Sequence, residues 1–94
     1  MKARKVIIEI PAAEDLEAGR DFYSCHSDEV AGYFVKSMLA EIRKLAEFAG
    51  IHSRKLRCYR VVAKRFPFAI YYRIMAQDKE VRVVAILDMR RHPK

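Results

Sequence analysis

The stretch from Leu56 to Arg91, LRCYRVVAKRFPFAIYYRIMAQDKEVRVVAILDMRR, constrains the fold more than any other part of the chain. Phe66, Phe68, Ile70, Tyr72 and Ile74 share one face of a period-2 pattern, and Pro67, Ala69, Tyr71, Arg73 and Met75 share the other. Val81, Val83, Ala85, Leu87 and Met89 likewise fall together, opposite Arg82, Val84, Ile86, Asp88 and Arg90. These β-branched, aromatic and apolar types suit a pleated sheet covered on at least one side. Gln77-Asp78-Lys79 reads as a short polar turn. Lys64-Arg65 precedes a second re-entry at Phe66-Pro67, where a proline without an N–H fits a strand start. The pattern predicts three consecutive strands in two hairpins, a β-meander with a heavy cationic load.

Ninety-four residues predict a single domain over 1–94. A chain of this size buries roughly 60–70% of its unfolded surface, enough for an unaided core. Its 52% hydrophobic content, with three Gly and three Pro, excludes a disordered chain. No apolar run approaches the ~20 residues that span a bilayer. Met1–Lys5 leads into a six-residue strand, too short for a signal-peptide core. Cys25 and Cys58 lie 33 positions apart, outside any C-x-x-C pair, and define no disulfide framework. The expected compartment is the cytoplasm, without a membrane association or a cofactor.

The net charge of +7 is unevenly spread. Residues 1–51 hold seven Lys/Arg against nine Asp/Glu, a net of −2; residues 52–94 hold twelve against three, a net of +9. Solubility asks for less than this. A strong positive field attracts polyanions and acidic proteins, and this one coincides with the meander.

Ahead of the meander, Lys5–Ile10 reads as a first strand whose apolar run suggests a place inside the sheet. Pro11 ends it and suits the first turn of a helix, with Glu14, Asp15 and Glu17 where the dipole favours negative charge. Leu16, Gly19 and Tyr23, with Phe22 beside them, give that helix an apolar stripe. Ser24–Ser27 breaks it, and Ser27 is placed to cap a second helix whose first turn holds Asp28 and Glu29. Val30, Phe34, Met38, Ile42, Leu45 and Ala49 form the second stripe, flanked by Tyr33, Leu39 and Phe48. Gly50 fits the left-handed position after the helix, followed by apolar Ile51. The predicted architecture is α+β: β-α-α-β-β-β, an antiparallel-rich sheet with a helical hairpin packed on one face.

The strings RFPFAIYYRI and EVRVVAILDMRRHP, together with LAEFAGIH at the end of the second helix, resemble the RelE/ParE toxin superfamily over residues 5 to 93. Many members carry a similar Arg-Phe-Pro-aromatic-aliphatic-Ile-Tyr-Tyr run, then a valine-rich strand ending in two arginines. The resemblance implies a toxin of a type II toxin–antitoxin (plasmid stabilisation) module, neutralised by an antitoxin with an acidic, extended segment. It leaves two targets open: ParE-like members inhibit DNA gyrase, and RelE-like members cut mRNA on the ribosome.

Cleavage needs a group to activate the 2′-hydroxyl, an acid for the leaving oxygen and cations for the phosphorane charge. If the chain is a nuclease, the candidates are Arg57, Arg60, Arg73, Arg90 and His92. The stretch matching the family's catalytic Tyr or His is Asp88-Met89-Arg90-Arg91-His92. It holds no tyrosine, and Ala69 stands where some nucleases carry an arginine. Those departures favour gyrase; a third reading is an inactive relative whose basic sheet only binds protein or RNA.

The residues expected to meet target or antitoxin are Arg57, Arg60, Lys64, Arg65, Arg73, Arg90 and Arg91. Each has a plainer reading. Arg57, Arg60, Lys64 and Arg65 form either a phosphate-tracking strip or a solvated strand and turn, and Arg90 and Arg91 leave the last strand on opposite faces. Tyr71 and Tyr72 are able to stack on bases, but the phase of Tyr72 with Phe68 and Ile70 marks it as core. His26 falls in an exposed turn. Cys25, His26, His52 and Cys58 match no metal-ligand spacing, so no metal site is expected.

Overall fold

The computed structural model describes residues 3–91, the last of them by its backbone alone. In chain order the elements are β1 (Lys5–Ile8), α1 (Ile10–Ser24), α2 (Asp28–Phe48), β2 (Arg54–Lys55), β3 (Cys58–Val62), β4 (Phe68–Met75) and β5 (Glu80–Asp88), followed by a 3₁₀ turn over Met89–Arg91. The strands form one sheet in the order β1-β5-β4-β3-β2, with β1 parallel to β5 and every other pair antiparallel. The α1–α2 hairpin covers one face, giving the expected α+β class.

Capping fixes where the helices begin and end. The Ser27 side chain accepts from the Val30 amide at 3.0 Å, and Asp28 and Glu29 occupy the first turn of α2. Gly50, at φ 102°, takes the left-handed position after α2 that a side chain would strain. The first turn of α1 departs from expectation. Ile10 is already helical, so Glu14, Asp15 and Glu17 lie beyond that turn, which holds no acidic residue.

The core grows from the contact between the two helices. Gly19 of α1 is buried, and a Cβ there would fall 2.5 Å from Cζ of Phe34 on α2. The missing side chain lets Phe34 sink to full burial, worth about 2–3 kcal/mol. Its ring centroid lies 4.9 Å from that of Phe68, within a cluster that includes Tyr23 and Phe66. Met38, Ile42, Leu45 and Ala49 continue the α2 stripe as expected. Val30, in the first turn, does not join it, being 37% exposed, and Ile51, the apolar residue after Gly50, is 75% exposed.

β4 lies at the centre of the sheet, and Phe68, Ala69, Ile70, Tyr71 and Tyr72 are all buried. Phe68, Ile70 and Tyr72 face the helices, as their phase predicted. Ala69 and Tyr71 face the other way and form a second, smaller cluster with Cys58, flanked by Val84, Ala85 and Met89. β5 departs from strict alternation. Tyr71 pairs with Ala85 but Tyr72 pairs with Val83, leaving Val84 as a bulge. One extra residue exchanges the faces beyond it, so Ile86 joins Val81 and Val83 in the main core while Ala85 and Met89 pass to the outer face.

Two further expectations are corrected. β1 lies at the sheet edge rather than inside it, because β5 is the strand with partners on both sides. Its Val6 and Ile8 are apolar because they pack under the hairpin, which an edge strand can also do. The meander is preceded by the two-residue strand β2, turned into β3 by Leu56 and Arg57 at φ 56° and 66°. Both central residues are left-handed, the geometry a two-residue hairpin requires.

At the far end of the helices, Arg4 joins three segments. Its amide donates to Ala46, and its guanidinium donates to the carbonyls of Ala49 and Asp78 and to the Asp78 carboxylate at 2.9 Å. The same end carries a polar pair under the helix terminus. The buried Tyr72 hydroxyl accepts from the Gly50 amide at 2.9 Å and lies 2.5 Å from Nδ1 of His52. Burial lowers the His52 pKa below 6.5, against an opposing pull from Glu41, and burial raises that of Tyr72. With the Gly50 amide already directed at its oxygen, Tyr72 donates its proton to a neutral His52. The unfolded chain therefore binds the His52 proton more tightly than the folded one, and stability rises with pH across this window. Unfolding free energy is expected to fall as pH drops through 6.5 and on through the lower folded-state value. His52→Gln should remove that component in denaturant titrations at several pH values; an unchanged slope would contradict the pairing.

Candidate functional site

Two of the expected cations engage the helices, and a third lies in the loop between β3 and β4. Lys64 follows β3, and its amide donates to the Glu41 carboxylate of α2. Arg65 donates to the Tyr33 hydroxyl at 3.0 Å, again on α2. Arg90 makes two guanidinium hydrogen bonds to Asp88 and lies over the rings of Phe22 and Tyr23 on α1, 5.2 and 5.8 Å from their centroids. The bulge at Val84 turns the end of β5 toward the helices, and Arg90 goes with it. The proposed strip of Arg57, Arg60, Lys64 and Arg65 is therefore divided between two surfaces. Arg57 is exposed in the β2–β3 turn. The Arg91 side chain and His92 lie outside the described residues.

The outer face brings Arg60 and Arg73 together around Tyr71. Arg60 of β3 is paired with Tyr71 of β4, and its Nε donates to the phenol oxygen at 3.2 Å. A second guanidinium nitrogen reaches Sδ of Met89, so the 3₁₀ turn packs over this face. The Tyr71 hydroxyl is thus occupied and its ring is 8% exposed, which leaves no free surface for base stacking. Tyr72 is fully buried on the helical side. Ala69 is buried beneath Arg60 and Tyr71, in the small outer cluster with Cys58.

Arg73, two residues along β4 from Tyr71, is exposed and pairs across the sheet with Arg82. Like charges at such a position repel. Arg82 is compensated by Glu80 at 3.1 Å and Glu9 at 3.6 Å, whereas Arg73 has no ion pair among the described residues. Alternation alone had marked Arg73 as outward; the compensation of Arg82 depends on the β1–β5 pairing and leaves no trace in the local pattern.

A cleft of about 650 Å³ runs round the end of β5, between Asp15 and Phe22 of α1 on one side and Arg60, Tyr71 and Leu87 on the other. Past the end of β1 the edge of β5 has no neighbouring strand, and there the Asp15 carboxylate accepts from the Ile86 amide at 2.9 Å. Sequence reading had assigned Asp15 to the helix dipole. Its contact is 71 residues away, beyond the reach of any local signal. No three His, Cys, Asp or Glu side chains among the described residues converge as a metal ligand set. No helix among them is long and apolar enough to cross a membrane.

This fold is that of the RelE/ParE toxins. The family described as ParE toxin of type II toxin-antitoxin system, parDE, matches residues 6–93, and the chain belongs to that family. Among solved structures, a chain of the chromosomal ParDE toxin–antitoxin system of P. aeruginosa is similar at 24% identity, with a TM-score of 0.79 over 89% of this chain and 94% of that one. A RelBE toxin–antitoxin complex from Mycobacterium tuberculosis gives 15% identity and a TM-score of 0.61, covering 94% and 93% of the two chains. The isolated E. coli RelE toxin gives 14% and 0.56, covering 92% and 84%. No curated protein matches.

Removing the acceptor that holds the β5 edge should loosen that edge specifically. Asp15→Ala is expected to cost about 1.5–3 kcal/mol, the range for a hydrogen bond to a charged group. Amide hydrogen exchange at Ile86 should accelerate more than at Val81 or Val83. Equal protection of Ile86 in both proteins would show that the carboxylate does not hold the edge.

Proposed function

We propose that this chain is a toxin that arrests bacterial growth by binding DNA gyrase, and that a cognate antitoxin with an acidic, extended segment neutralises it in the cytoplasm. The observation that carries the reading is the makeup of the outer face, where Arg60 and Arg73 gather around a phenol whose oxygen is already engaged. Cations of this kind bind and orient an acidic or phosphate-bearing surface. Cleaving RNA further requires a proton donor and acceptor within hydrogen-bond reach of the reacting oxygens. The two described histidines lie elsewhere: His26 is exposed in the interhelical turn, and His52 is tied to Tyr72 on the helical side. Family membership and the two ParDE and RelBE structural relatives support the antitoxin partner.

Arg73 is assigned as the leading target contact, with Arg57 beside it in the exposed β2–β3 turn. Arg60 holds Tyr71 and the 3₁₀ turn in place. Arg65 and Arg90, directed toward the helices, and Lys64, exposed in the loop after β3, are assigned to the antitoxin. A second reading, ribosome-dependent mRNA cleavage, is favoured by one feature: a phenol and a guanidinium in direct hydrogen-bond contact on the outer face, Tyr71 and Arg60.

Expression in growing cells separates the two. Gyrase poisoning should induce the SOS response and DNA breaks while mRNA stays intact; codon-specific mRNA breaks without an SOS response would overturn the proposal. Arg73→Glu should weaken growth arrest by about tenfold or more, roughly 1.4 kcal/mol of lost binding, with an unfolding midpoint no lower than that of the wild type, since the carboxylate faces Arg82. Full toxicity in Arg73→Glu would remove Arg73 from the contact.

A further inference from the structure

We propose that β1 is a self-association edge, and that two copies of this chain join their sheets by antiparallel pairing of β1 about Ile7.

The sheet has four stretches of edge, and three of them are short or blunted; past β2, the edge of β3 keeps a single outward residue, Val62, because the Arg60 amide already donates to Ser53. β2 is two residues long and consists of Arg54 and Lys55, so a copy added there would set cation against cation. The edge of β5 past β1 is held by Asp15. β1 has neither device over its central residues. The amides of Lys5 and Glu9 donate to Lys79 and Val83, so the odd-numbered residues face β5 and Val6 and Ile8 turn their N–H and C=O groups outward. Among the described residues, no hydrogen bond from outside the sheet reaches either of them. The edge closes at Arg4, whose amide donates to Ala46 of α2, and ends at Ile10, where α1 begins. Two residues with four outward groups remain.

The side chains along this edge are complementary to themselves. With a twofold axis at Ile7, Val6 of one copy lies opposite Ile8 of the other, and the two exchange a closely spaced pair of hydrogen bonds twice over. Ile7 meets Ile7, and Lys5 meets Glu9 at both ends. All of Lys5, Ile7 and Glu9 lie on the outer face, where directly opposite residues touch. Ile7 is the one described apolar residue of β1 that packs in neither hydrophobic cluster, and the pairing covers it with its own copy. Lys5 is exposed and has no ion pair among the described residues. Sliding the register by two residues sets Lys5 or Glu9 opposite Ile7 and loses both ion pairs. The axis stands perpendicular to the sheet, so the result is one ten-stranded sheet with both hairpins on the same side. An isologous interface of this kind closes at two copies.

Sedimentation equilibrium of the purified toxin over a dilution series tests this. Twice the chain mass at high concentration, falling to the single mass on dilution, is expected. Lys5→Glu places two carboxylates opposite each other at each end of the interface, and Glu9→Lys two ammonium groups; each should leave a monomer. The double variant Lys5→Glu, Glu9→Lys should restore the dimer. Glu9→Lys also breaks the intrachain pair with Arg82, which the double variant does not repair, so rescue reports the contact between copies. Circular dichroism confirms folding, and Lys5→Glu alters only an exposed, unpaired side chain. A monomeric wild type at every concentration, or dimers insensitive to both single reversals, or failure of the double variant to restore association, would each overturn the proposal. A wild type that associates only with an antitoxin strand on this edge would count as the first of these.

Discussion

The fold depends on β4 being covered on both faces. Five consecutive buried residues, Phe68 to Tyr72, need apolar partners above and below the sheet. The upper partner is the helical hairpin, brought close by the glycine beneath Phe34. The lower one is small: Cys58, Ala85, Val84 and Met89, with Arg60 laid over Tyr71. The bulge at Val84 meets both demands. It sends Ile86 into the main core and turns Ala85 and Met89 outward to cover Ala69 and Tyr71. A regular β5 would have left Tyr71 with less cover and placed Ile86 against solvent. The same residue also shapes the charge pattern, since it carries Arg90 to the helices and off the outer face that Arg73 occupies.

The opposite end of the molecule adds polar contacts to its packing. Arg4 ties the end of α2 to the β4–β5 turn, where Ala76, Gln77 and Asp78 all have positive φ. Positive φ at such residues costs of order 1–3 kcal/mol each, which the surrounding contacts have to offset. Next to it, the Tyr72 hydroxyl accepts from the Gly50 amide and bonds to His52, so the loop after α2 is fastened to the central strand. His52 serves the fold here, and a catalytic imidazole would need a free ring nitrogen facing the cationic surface.

Much of this architecture was legible in the sequence because it rests on periodicity and capping. The α2 stripe, the Ser27 cap, Gly50, and the inward phase of Phe68, Ile70 and Tyr72 all follow from short-range rules. What escaped has long-range causes. Val84 alternates correctly with its neighbours, and only the pairing of β4 with β5 makes it a bulge. Leu56-Arg57 carries none of the Asn-Gly chemistry that signals a two-residue turn, so β2 was invisible. β1 reads as an interior strand by composition, although its position is set by the route of the hairpin. At the candidate site the charges were visible, but their division between faces was not. Sequence marked Arg73 as outward; the engagement of Arg60, Arg65 and Arg90 with Tyr71, Tyr33 and Asp88 needed the fold.

The central claim is that the outer face around Arg73, opposite the helical hairpin, meets the target. A photoreactive amino acid placed at position 73, and separately at position 65 on the helical side, tests it directly when each protein is irradiated with purified gyrase. Crosslinks to gyrase from position 73 and not from position 65 are predicted. Crosslinks from position 65 alone would contradict the account.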